Sequence, residues 1–129
     1  SDLGSQVHAR INLPEATVHC REPLLTTMLT ELLGNAVKFA DPDSTIVISG
    51  QVAASRYILH IDNVGRPFPL DRLGEVGAFV QFDRERHEQQ GLGIGLALVT
   101  QAARLSQSTL DISNLPPHTV RLSLHIPLA

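Results

Sequence analysis

Three residues of the stretch ELLGNAVKF, residues 31–39, could do chemistry together: an acid, Glu31, an amide, Asn35, and a cation, Lys38. Their spacing is i, i+4, i+7. At about 100° per residue this sets all three in one narrow stripe of a helix. The surrounding positions are apolar: Leu24, Leu25, Met28, Leu29, Leu32, Leu33, Ala36 and Val37. Two readings fit the stripe. It is the solvated face of an amphipathic helix, or it is one wall of a site for a charged ligand.

Two further stretches bear on that choice. GLGIG, residues 91–95, has glycines at alternate positions where a long loop meets a helical pattern. Such a backbone turns sharply and lets a ligand approach its N–H groups. A helix N-terminus adds unpaired donors and a partial positive charge, which together make a phosphate cradle. A helix start softened by glycine, with no ligand, explains the same residues. The dinucleotide pattern G-x-G-x-x-G is excluded because Leu96 stands where the third glycine is needed, and the Walker lysine pattern is absent. In ILHIDNVGRPF, residues 58–68, period-two alternation puts Ile61 and Asn63 on one face of a strand. An inward amide at a strand end needs a partner. Asn63 either caps its own turn before Gly65, or offers its oxygen to the exocyclic amine of a base.

The elements that position these residues follow from pattern. Residues 7–12 alternate and predict a strand, and residues 17–20 a second, short one. Pro23 opens the leucine-rich helix, which runs to about Ala40 and stops at DPDS. Residues 45–52 and 57–63 predict two strands joined by a polar turn at 54–56. Residues 65–95 form a long charged segment containing Gly and Pro, and loops of this length are usually functional lids or disordered. A second helix follows over 94–106, then two closing strands at 108–113 and 119–128, separated by NLPPH. The order ββ-α-ββ-loop-α-ββ predicts an α+β fold, a two-layer sandwich with helices over one face of a mixed sheet.

Composition narrows the function classes. The 129 residues suit one domain with a real core. Apolar residues at 43% and charged residues at 18% describe a globular chain. The net charge of −3 and the lack of a Lys/Arg cluster argue against nucleic acid as a partner. No apolar run spans a bilayer, so no direct membrane contact is expected. The single Cys20 cannot form an internal disulfide, which fits a reducing, cytoplasmic compartment. The six histidines, at 8, 19, 60, 87, 118 and 125, show no metal-ligand spacing.

Taken in order, the motifs resemble the catalytic ATP-binding domain of sensor histidine kinases, in the ATPase superfamily shared with gyrase, Hsp90 and MutL. ELLGNAVKF is similar to that family's Asn-containing helix box, and DNVGRPF to its first glycine box. FVQFDR, residues 79–84, is similar to the phenylalanine box of the lid, and GLGIGLALV to the second glycine box. The resemblance covers nearly the whole chain and implies a Bergerat-type sandwich with a long ATP lid, one catalytic domain over residues 1–129 of a longer protein.

The resemblance also implies roles. Asn35 would ligate Mg²⁺, which bridges the ATP phosphates and needs only one or two protein oxygens. Lys38 would reach a phosphate as a point charge. Glu31 would serve as a general base or orient a Mg²⁺-bound water. Gly91, Leu92, Gly93, Ile94, Gly95 and Leu96 would cradle the phosphates. Asn63 would read the base, Gly65 and Phe68 would belong to the same ATP-binding set, Phe79 and Phe82 would anchor the lid, and Arg84 would reach the γ-phosphate or the partner domain.

The implied partners are ATP, a phosphoacceptor-histidine dimerisation domain upstream, and a response-regulator receiver downstream. None of the six histidines lies in the phosphoacceptor context. Three positions depart from the family pattern. Asn63 replaces the adenine-reading Asp, Pro67 replaces the second glycine of that box, and LSQST stands where Gly-Gly is usual near the end of the last helix. A neutral acceptor in place of a charged one lowers adenine affinity by about a factor of ten. Two alternatives stay open: a degenerate nucleotide-binding or partner-docking module of the same fold, and an anti-sigma-factor serine kinase, which the phenylalanine box argues against.

Overall fold

A computed structural model describes residues 6–69 and 95–129. Strand β1 is His8–Asn12, helix α1 Glu22–Phe39, β2 Thr45–Ala53, β3 Arg56–Val64, helix α2 Gly95–Leu105, β4 Thr109–Leu115 and β5 Thr119–Pro127. The five strands form one mixed sheet in the order β1-β2-β3-β5-β4. Only β1 and β2 run parallel; the other pairs are antiparallel.

Helix α1 forms where expected. Pro23 lies in its first turn, and Met28, Leu32 and Ala36, four residues apart, are buried. Lys38 falls in its last turn, where a cation suits the helix dipole. Glu31 touches the start of α2 and Leu24 shares a groove with its end, so the two helices run antiparallel. Beneath them the alternation of β3 and β5 delivers Tyr57, Leu59, Ile61, Val120, Leu122, Leu124 and Ile126 to the core.

Among the described residues three turns use left-handed non-glycine residues, the first being Asp43, at φ 62°, between α1 and β2. Ala54, at φ 56°, makes the two-residue hairpin between β2 and β3. Gln107, at φ 57°, ends α2. The Ser108 N–H bonds the Ala103 carbonyl at 2.8 Å and the Gln107 N–H bonds that of Arg104 at 3.3 Å. This is a Schellman closure without the glycine that usually makes one.

One expected element is corrected. Residues 17–20 do not form a strand. Val18 makes a single bridge to Leu128, flanked by bonds from the His19 N–H to the Pro127 carbonyl and from the Ala129 N–H to the Thr17 carbonyl. The reason is topological: β4 already covers that edge of β5 as far as His125, so only its last few residues stay free. The residues just before it are tied down separately, by the Tyr57 hydroxyl donating to the Pro14 carbonyl at 2.7 Å.

Candidate functional site

The end of β3 and the last two turns of α1 enclose a small cavity lined by Asn35, Phe39, Asn63, Arg66, Phe68, Val120 and Leu122. As it stands it measures about 10 Å³, a single water site. Its lining is mostly apolar, with two amides set into it. Asn63 is only 2% exposed, and its Nδ2 has no hydrogen-bond partner among the described residues; the same holds for Nδ2 of Asn35. A buried donor left unpaired costs about 1–3 kcal/mol, and here two belong to residues that line one cavity.

The strand register explains why Asn63, and not Asp62, lies there. Asn63 shares its face with Ile61, toward the helices. Asp62 points the other way and is held bidentately by Arg121, with Nε to Oδ1 at 2.8 Å and Nη2 to Oδ2 at 2.9 Å.

The walls are aromatic. Phe39 and Phe68 meet edge to face with centroids 6.4 Å apart, and the Arg66 guanidinium stands 5.3 Å from the Phe39 centroid. Lys38 is exposed, with Nζ 5.8 Å from the same ring. Phe68 is fixed by a residue that sequence reasoning missed. The Asn114 carboxamide accepts from the Phe68 N–H at 2.7 Å and donates to the Phe68 carbonyl at 2.9 Å. Nothing local flags Asn114, because its partner lies 46 residues away. Gly65 is needed for close approach: a Cβ there would run into the Phe39 carbonyl oxygen. Its own N–H bonds the His118 carbonyl at 2.9 Å.

One turn back along α1, the half-buried Glu31 carboxylate packs directly against Gly95, where a Cβ would collide with Oε2. Helix α2 has no acid in its own first turn, so Glu31 supplies the negative charge favoured at its N-terminus. Leu96 places its side chain in the core, 1% exposed, so only its backbone could face a ligand. The structure thus brings Asn35, Asn63, Gly65 and Phe68 together, and separately Glu31 and Gly95. Gly91, Leu92, Gly93, Ile94 and Arg84, with Phe79, Phe82 and residues 70–94 of the proposed lid, lie outside the described residues.

A larger open groove of about 890 Å³ lies at the other end of the helix pair, lined by residues 18–21, Pro23, Leu24 and residues 105–107. Its buried polar group, Ser106, already bonds the Ala102 carbonyl and Ser108. It lacks the unpaired donors of the smaller cavity. No group of three or more His, Cys, Asp or Glu residues that could hold a metal occurs among the described residues. No helix among them is long and apolar enough to cross a membrane.

Comparison with known proteins agrees with this architecture. Residues 20–129 match the family of histidine kinase-, DNA gyrase B- and HSP90-like ATPases, and the chain belongs to that family. The sensor protein CzcS of Cupriavidus metallidurans is 32% identical over 117 residues, covering 88% of this chain and 24% of the relative. The sensor protein CreC of Escherichia coli is 30% identical over 115 residues, covering 87% and 24%. The chain therefore spans about a quarter of the length of these relatives. The histidine kinase AdeS of Acinetobacter baumannii superposes with a TM-score of 0.74 at 22% identity, over 96% of this chain and 55% of that one. Within the family, the chain is a catalytic ATP-binding domain of the sensor histidine kinase type.

Proposed function

We propose that this domain binds Mg²⁺-ATP and supplies the γ-phosphoryl group to a histidine on a separate dimerisation domain, in two-component signalling. The observation that carries the reading is the pair of buried amide nitrogens of Asn35 and Asn63, without partners among the described residues, on one aromatic-walled cavity. A base entering between Phe39 and Phe68 would meet Asn63, and Arg66, exposed on the lining, would move aside to admit it. Asn35, one helix turn beyond Glu31, has the donor type Mg²⁺ accepts, an amide oxygen. When bound, the ion neutralises phosphate charge. The start of α2 at Gly95 would offer its N-terminal N–H groups to a phosphate from the side that the Glu31 carboxylate does not occupy. Glu31, already beside Gly95, is placed to act on a proton at the phosphate end. The domain's contribution is positioning and charge neutralisation rather than covalent chemistry. The acceptor histidine and a downstream receiver belong to other domains of the same system, which acts in the cytoplasm.

Calorimetry of the 129-residue chain with ATP and ADP, with and without Mg²⁺, tests this. Micromolar-to-millimolar binding is expected, with Mg²⁺ required for ATP. No heat and no thermal shift at several millimolar nucleotide would overturn the kinase reading. It would favour the second one, a degenerate module, which the neutral Asn63 and Pro67 support.

A further inference from the structure

Reading Asn63 as an acceptor for an exocyclic amine uses half of its carboxamide. The other half, Nδ2, is a buried donor without a partner among the described residues. No carboxylate takes its place, because Asp62 is turned to the opposite face and both its oxygens are held by Arg121. The difference is chemical. A carboxylate only accepts, whereas an amide both accepts and donates. The terminal torsion of Asn is broad and roughly two-fold, so the two atoms can exchange places without any backbone change.

Resting on the nucleotide-binding reading above, we infer that Asn63 pairs with the N1–C6 edge of either class of purine, so that the site takes 6-amino and 6-oxo purine nucleotides alike. With a 6-amino purine, the exocyclic amine donates to Oδ1 and N1 accepts from Nδ2. With a 6-oxo purine the amide is turned over: O6 accepts from Nδ2 and N1–H donates to Oδ1. Each arrangement makes two hydrogen bonds and satisfies the buried donor. The other lining groups do not restore selectivity. Phe39, Phe68, Val120 and Leu122 present carbon, Arg66 is a donor only and cannot repel O6, and Asn35, like Asn63, is an amide that both donates and accepts.

The test compares ATP with inosine triphosphate, which carries the 6-oxo group without the 2-amino group of guanine and so isolates position 6. Titrated with each in Mg²⁺, the 129-residue chain is expected to give Kd values within about threefold of each other, since the bond count is equal. Asn63→Asp should shift the ratio to about tenfold or more in favour of ATP, because a carboxylate cannot donate to O6. A preference for ATP of about tenfold or more in the unaltered chain would overturn the inference while leaving nucleotide binding intact. So would an unchanged ratio in Asn63→Asp. Binding of neither nucleotide at several millimolar would overturn the nucleotide-binding reading, and this one with it. The ratio in the unaltered chain decides the matter even where the Asp variant fails to fold.

Discussion

On the outer face of β3, His60 and Asp62 stand directly opposite Ser123 and Arg121 of β5. His60 Nδ1 lies 2.8 Å from Ser123 Oγ, Asp62 holds Arg121 bidentately, and one strand over His125 Nε2 meets Asp111 Oδ2 at 3.1 Å. On the helix-facing side of the same strand, one residue along, Asn63 is more deeply buried and its donor has no partner among the described residues. Burial alone would predict the reverse, since the deeper group has more to lose by going unpaired. Polar residues that complete one another within the sheet explain themselves as structure. A polar residue kept buried and incomplete points outward, to a ligand. Altering the helix-facing side should therefore change function more than stability, and altering the outer face should do the opposite.

The largest effect should come from Glu31. As a general base, Glu31→Gln should lower phosphotransfer to a supplied acceptor domain by about 10²–10⁴-fold, with nucleotide affinity nearly unchanged. Rates equal to those of the unaltered chain would return Glu31 to a purely structural role at the start of α2. Asn63→Leu sharpens the comparison in two directions at once. Removing an orphaned buried donor should raise unfolding free energy by about 1 kcal/mol, while ATP affinity falls by about tenfold. Chemical denaturation paired with calorimetry reads both, and a variant that loses stability would place Asn63 with the satisfied groups.

Across the strand, Arg121→Ala should cost roughly 0.5–1 kcal/mol, because Arg121 is more than a third exposed and the pair is screened by solvent. Nucleotide affinity should not move. The smallest effect is in pH. Burial, and then the charge of Arg121, push the His60 imidazole below its ordinary value of 6.5; Asp62 partly offsets this and His125 adds to it. A histidine held neutral in the fold contributes stability that is complete above pH 6.5 and is lost as pH falls from there through its lower folded value. Denaturation midpoints for His60→Gln should be flatter than those of the unaltered chain as pH drops below 6.5. A parallel decline would assign the acid sensitivity to other groups.

Local periodicity made the helices, the β2–β3 hairpin and the inward aim of Asn63 legible in the sequence. Each depends on residues within a turn or two of one another. What escaped was non-local. Residues 17–20 have strand-like composition, but their partner edge is filled by β4, which lies some 90 residues later. The Asn114 clamp on Phe68 and the seat of Glu31 against Gly95 join distant segments with no pattern to announce them. Of the site, the residue types were readable, together with the spacing of Glu31, Asn35 and Lys38. That Asn35 and Asn63 share one cavity, and that Lys38 and Leu96 face elsewhere than into it, needed the fold.

The strand order also governs how the chain can assemble. The hydrogen-bonded neighbours of β5 are β3 and β4, and its pairing with β3 joins residue 56 to residue 127. Until residue 127 has been synthesised, the β2–β3 hairpin carries one unclosed edge, rich in Ile and Leu, for the whole passage of the ribosome from β3 to β5. Such long-range closure makes folding slow and leaves a template for intermolecular pairing in the meantime. Variants that weaken β5 should thus show themselves first as insoluble protein during expression, before any loss of stability is measured in the folded domain.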